Sequence, residues 1–152
     1  MANTQSMCTS FMEQLLTGTH NFTPSTGDTF KAALYLASAT VNASTTAYSA
    51  TGEVSGTNYS PGGVSVTNAT APASTNTSST AGTAYWTPSA SITYTNVTLT
   101  TAFDAVLIYN SSKSDKAVSV HTFGSQTVTA GTFTLTMPSN TTSTALLRLA
   151  TT

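Results

Sequence analysis

Charge is what this sequence has least of. Only 6% of its 152 residues are charged, against roughly a quarter in ordinary soluble domains. The cations are Lys31, Lys113, Lys116 and Arg148, and no cluster exceeds the Lys113/Lys116 pair. Proteins that grip nucleic acid draw affinity from counterions released by Lys and Arg, so nucleic acid is not an expected partner. The net charge of −1 also leaves little repulsion between free copies. Such a chain suits a setting in which neighbours occupy its surface.

Cysteine is nearly absent too. Cys8 alone closes no internal disulfide; in its polar leader, with His20 well beyond it, it reads as a small apolar filler. No apolar run approaches the length that spans a bilayer. The first ten residues, MANTQSMCTS, lack the basic start and apolar core of a secretory signal. The expectation is therefore synthesis in a cytosol, with no membrane partner. Eight N-x-[ST] sequons begin at Asn21, Asn42, Asn58, Asn68, Asn76, Asn96, Asn110 and Asn140. Sequence rich in Ser, Thr and Asn produces them by chance, and without an export signal they are expected to stay unglycosylated.

What fills the deficit is Thr, Ser, Asn and Ala. Thr supports strands, whereas Ser and Asn favour turns. The 39% of apolar residues fall in coherent runs, which favours folding over disorder. The length fits one domain, residues 1–152, with a modest core.

Residues 1–20 carry the expected helix. Ser10-Phe-Met-Glu13 matches a capping box, Phe11, Met12, Leu15 and Leu16 follow at helical spacing, and Gly18 supplies the stop. The apolar stripe of so short a helix must dock, more readily on the chain's own sheet than on a neighbouring subunit. Strands follow. DTFKAALYLA alternates around Phe30, Ala32, Leu34 and Leu36, GGVSVTN offers Val64 and Val66, and SITYTNVTLT offers Ile92, Tyr94, Val97 and Leu99. Between them residues 68–84, nearly pure Ala, Ser, Thr and Asn at the centre, read as an extended loop or arm. The continuous run Ala105 to Tyr109 reads as a strand buried on both faces. NSSKSDK is then a hairpin loop, AVSVHTF the return strand, QTVTAGTFTLTMP a strand pair or bulged strand around Ala130-Gly131, and TALLRLA the last strand. Seven or eight short strands predict an all-β antiparallel sandwich, jelly-roll or Greek-key-like, with one short N-terminal helix.

The best place to look for chemistry is Thr51 to Gly63, TGEVSGTNYSPGG, four glycines around the acid Glu53. A phosphate cradle needs a lysine after the last glycine and a helix beyond it; here Val64-Ser-Val66 follows. Pro61 before Gly62 is a turn signature. Glu53 could act as a general acid or base only with a partner from a distant segment, Asp28 or Asp104; a turn or intersubunit contact explains it more simply. His20 and His121 fit no metal-ligand spacing. By period two His121 faces away from Val118 and Val120, as a strand-surface residue. No Gly-x-Ser-x-Gly elbow occurs. Trp86 and the tyrosines could make a sugar platform but are ordinary sandwich residues. No catalytic, cofactor-binding or metal-binding residue is expected, no cofactor, and no enzyme activity.

Several blocks do form a recognisable series. ANTQSMCTSFMEQLLTGTHNF with DTFKAALY, then TGEVSGTNYSPGG, DAVLIYNSS, KAVSV and VTAGTFTLTMP resemble, in the same order, blocks of small virion structural proteins of tailed bacteriophages. The resemblance covers most of the chain and departs around Ala71 to Ala84. It implies a structural virion protein assembled in the host bacterial cytoplasm, foremost a capsid decoration or cement subunit. Its implied partners are the major capsid protein, other virion proteins and its own copies. The implied alternative is a tail fibre, adaptor or receptor-binding component, in which exposed Tyr59, Tyr85 and Trp86 would meet a glycan. A third reading, a small polysaccharide hydrolase, would rest on Glu53. The blocks carry no catalytic motif to transfer. Ala2–Leu16, Thr51–Gly63 and Thr70–Ala84 are the expected contact elements.

Overall fold

Apolar residues at every position cannot alternate between core and water, so Ala105–Tyr109 lies at the centre of the molecule with all five side chains buried. The computed structural model describes residues 2–75 and 82–151. In chain order these form β1 (Ser6–Met7), α1 (Thr9–Leu16), β2 (Phe30–Leu36), β3 (Val64–Val66), β4 (Ala73–Ser74), β5 (Thr83–Trp86), β6 (Ile92–Asn110), β7 (Lys116–Leu135) and β8 (Leu147–Ala150). One sheet has the order β1-β7-β6-β2-β3 and the other β4-β5-β8. Every pairing is antiparallel. Over the described residues the fold is the expected all-β sandwich with one short helix.

Two strands are far longer than expected. β6 and β7 run 19 and 20 residues as one hairpin. Bulges carry the pairing through stretches where the apolar alternation breaks down, with register shifts between Tyr94 and Val97, around Leu99, and between Leu99 and Phe103. QTVTAGTFTLTMP resolves as the bulged continuation of β7, with Ala130 at φ +45°.

The helix starts differently from its sequence signature. Cys8, not Ser10, is the N-cap, and it makes no side-chain cap; Ser10 lies within the helix and its buried hydroxyl has no partner. Tertiary contacts override the capping box. The Cys8 amide donates to the Val118 carbonyl at 3.0 Å, and the Thr9 amide to the Ala43 carbonyl at 2.8 Å, satisfying a donor that a cap would otherwise serve. The C-terminus behaves as expected. Gly18 sits at φ +67°, its amide bonds to Leu15 and that of Thr19 to Gln14, a Schellman closure. α1 docks on β7 of its own sheet through buried Phe11, while Met12 and Leu16 are exposed.

The flanks of the Ala/Ser/Thr/Asn stretch are paired rather than free. Ala73 opposes Tyr85 and Ser74 opposes Ala84; residues 76–81, the centre of the expected arm, lie outside the described residues. Trp86 ties this small sheet to the rest, with ring contacts to Phe22 and Phe30.

Candidate functional site

The glycine-rich segment Thr51–Gly63 does a structural job at the edges of two strands. β3 covers β2 only from Phe30 to Ala32. Beyond that the loop takes over: the Leu36 amide donates to Gly52 O at 2.9 Å, the Val54 amide to Leu34 O at 3.0 Å, and the Leu34 amide to the Tyr59 hydroxyl at 3.0 Å. It also covers the outer edge of β6, where the Thr98 amide donates to Thr57 O at 3.0 Å and Asn58 Nδ2 to Asn96 O at 2.9 Å. The glycines are there for close approach, and Gly63 at φ +72° lies directly against the Ala32 carbonyl.

Glu53 holds this loop together. Its Oε1 accepts from the Tyr59 hydroxyl at 2.8 Å and the Gly62 amide at 2.8 Å, and its Oε2 accepts from the Tyr48 hydroxyl at 2.6 Å. Tyr48 stacks on Tyr109, whose hydroxyl donates to Gly62 O at 2.8 Å. Burial, reinforced by this carboxylate, pushes the Tyr59 hydroxyl far above its ordinary range. Both Glu53 oxygens are thus occupied by the fold. The possible partner acids are engaged elsewhere: Asp104 accepts from Asn3 Nδ2 at 2.6 Å, and Asp28 belongs to a second network.

That second network centres on Asn110, fully buried at the end of β6. Its Nδ2 donates to His20 Nδ1 at 2.9 Å and to Asp28 Oδ2 at 2.8 Å, while its Oδ1 accepts from the Ser112 hydroxyl. His20 Nε2 lies 2.7 Å from Gln14 Oε1, so the ring reads as the neutral tautomer that donates through Nε2. Burial, opposed by Asp28 and aided by Lys116 and Lys113, lowers the His20 pKa. Burial alone would raise Asp28, but the amides of Asn21 and Asn110 with Lys113 at 3.6 Å hold it below the usual carboxylate range. The sequence offered one signal for this cluster: a polar residue closing an otherwise apolar run. Buried Asn110 also cannot serve as a glycan acceptor in the folded chain.

The remaining candidates are scattered. Cys8 is buried, its thiol pushed up to about 11, which makes it inert. Tyr59 and Trp86 are core residues rather than exposed aromatics, at 8% and 3% exposure; the Trp86 indole donates to Asn68 Oδ1 and Thr70 O. Only Tyr85 of that trio is half-exposed, on the rim of an apolar cavity of about 500 Å³ that Phe11, Leu15, Trp86 and Leu149 also line. Among the described residues no group of three or more His, Cys, Asp or Glu could hold a metal, and no helix is long and apolar enough to cross a membrane.

His121 departs from its expected surface position. It is half-buried, 2.9 Å from the Ser119 hydroxyl, on the wall of a cavity that β1 and β8 also line. Burial lowers its pKa to about 4. An unfolded imidazole takes up a proton near pH 6.5 while the folded one resists, so stability is full above that pH and falls as pH drops towards 4. The loss from His121 amounts to about 3 kcal/mol at most. Urea midpoints measured from pH 7 to pH 4 are expected to fall steadily, and the His121→Gln variant to show a distinctly shallower decline.

Compared with known proteins, the chain matches no family model, no curated protein and no solved structure.

Proposed function

We propose that the protein is a structural subunit of a tailed-bacteriophage virion, most specifically a capsid decoration or cement protein that binds its major capsid protein shell. The observation that carries this reading is the ordered series of sequence blocks resembling small phage virion proteins. Those blocks coincide with frame-building parts of the fold. TGEVSGTNYSPGG bonds to the edges of β2 and β6, DAVLIYNSS holds the core strand and its buried Asn110, and VTAGTFTLTMP holds the end of β7 and the three residues after it. The groups that could do acid–base chemistry are held in hydrogen bonds that serve the fold, so no catalytic step is proposed.

Adhesion to a shell sums many weak contacts over a lattice. The expected contact elements narrow accordingly. Residues 3–8 are tied to the protein's own sheet, which leaves Met12 and Leu16 of α1 as the exposed apolar groups there. In the glycine-rich loop the outward residues are Thr51, Ser55–Asn58 and Ser60–Pro61. The test is the place and number of subunits in intact particles. Density on the shell and on the order of hundreds of copies are expected, whereas about a dozen or fewer would move the protein to the tail. One feature favours that tail reading: the apolar cavity beside half-exposed Tyr85, an amphipathic surface of the kind that meets sugar rings.

A further inference from the structure

A strand without a neighbour presents a row of N–H and C=O groups that recruits another strand. Most edges here are short or sealed. β3, β4 and β8 have 3, 2 and 4 residues, and the glycine-rich loop bonds to the edge of β2 and to Asn96 and Thr98 of β6. β7 is different. β1 pairs only with Ser119 and Val120, and from Thr122 to Leu135 β7 pairs with β6 on one side and, among the described residues, with no strand on the other. That segment, TFGSQTVTAGTFTL, contains no Lys, Arg, Asp, Glu or Pro, the residues that ordinarily blunt an exposed edge. Two irregularities interrupt it, one between Thr122 and Gln126 and one at Ala130, and they leave the paired stretches Gln126–Thr129 and Gly131–Leu135. Val128, Phe133 and Leu135 pack towards the core, while Thr127, Thr129, Thr132 and Thr134 are exposed.

We propose that this edge is a homodimer interface, in which two copies pair β7 with β7 antiparallel about a two-fold axis and join their five-stranded sheets into one. A second copy is the occupant that fits the chemistry. A two-fold contact must be self-complementary, and an uncharged edge meets itself with no like charges opposed. The net charge of −1 adds almost no barrier to approach. A strongly charged peptide would find no counter-charge along this edge. The stoichiometry follows from the symmetry: a two-fold contact uses the same edge of both copies, so pairing consumes that edge and stops at two. The dimer deepens the reading of the protein as one that assembles with its own copies, but it does not require a capsid.

Sedimentation equilibrium of the purified full chain is expected to give twice the 15.6 kDa chain mass. The double variant Thr129→Lys/Thr132→Lys changes two exposed positions and sets like charges across the axis. It is expected to weaken the dimer by at least about tenfold while melting close to the wild type. A single-chain mass at all concentrations, or a double variant as dimeric as the wild type, overturns the proposal. Should the variant fail to fold, amide exchange of the wild type decides. Protection across Gln126–Leu135 that grows with concentration supports the interface, and concentration-independent exchange removes it. Absence of the protein from finished particles would remove the virion reading and leave this dimer standing.

Discussion

Replacing Gly63 with alanine is expected to yield little or no folded protein. At φ +72° an added Cβ would overlap the Ala32 carbonyl oxygen and come within 2.8 Å of Ala33 Cα. The left-handed backbone alone costs an alanine about 1–2 kcal/mol. The overlap is worse, because its target is main chain in the middle of β2. That strand cannot retreat. Ala32 through Tyr35 are buried, Ala32 is registered against Ile108 of β6, and its carbonyl accepts the Tyr94 hydroxyl at 2.8 Å. A loss above about 4 kcal/mol places the substitution among the most damaging single changes. Gly18→Ala is the control: φ is similar at +67°, but nothing lies within 4 Å of its added Cβ, so only the backbone cost of about 1–2 kcal/mol is at stake. Soluble yield, near-ultraviolet circular dichroism and urea midpoints separate the two. A Gly63→Ala protein that melts beside the wild type would show that β2 yields to the added methyl group.

Removing the Glu53 carboxylate comes next. Glu53→Ala deprives two phenols and one backbone amide of their acceptor. Hydrogen bonds to a charged group contribute about 1.5–3 kcal/mol each, and a buried donor left without a partner carries its own penalty. Because the donors share one acceptor, their contributions do not add, and a total near 4 kcal/mol is expected. Glu53→Gln keeps the shape but turns an NH₂ group towards at least one donor, for about half that loss. Urea unfolding of both variants gives the comparison. A Gln variant as stable as the wild type would mean that the carboxylate does not organise the loop.

The sequence carried the class of the fold but less of its detail, for physical reasons visible at particular residues. The unbroken run at Ala105–Tyr109 and the stop at Gly18 are local signals that nothing overrode. At Ser10 the local signal was strong and still lost, because Cys8 and Thr9 find carbonyls from residues distant in sequence. The length of β6 and β7 was hidden because each bulge breaks the two-residue alternation by which a strand is recognised. Glu53 was visible as an isolated acid among glycines, yet its donors Tyr48 and Tyr59 are identified only once the loop has closed. His121 was misplaced because alternation assigns a face but not what covers that face. The Asn110 cluster draws in Gln14, His20 and Asp28 from a distant part of the chain, a proximity that spacing does not encode.

Trp86 is the chain's one indole, and its position gives it a diagnostic value. It sits where the small sheet meets the large one, edge-on to Phe22 and near Phe30, with its N–H bonded to Asn68 and Thr70. Its emission therefore reports the seam between the two layers instead of averaging over the whole molecule. If the layers part before the long hairpin melts, fluorescence will shift ahead of the far-ultraviolet signal. The protein thus carries an internal gauge for the order in which its layers come apart.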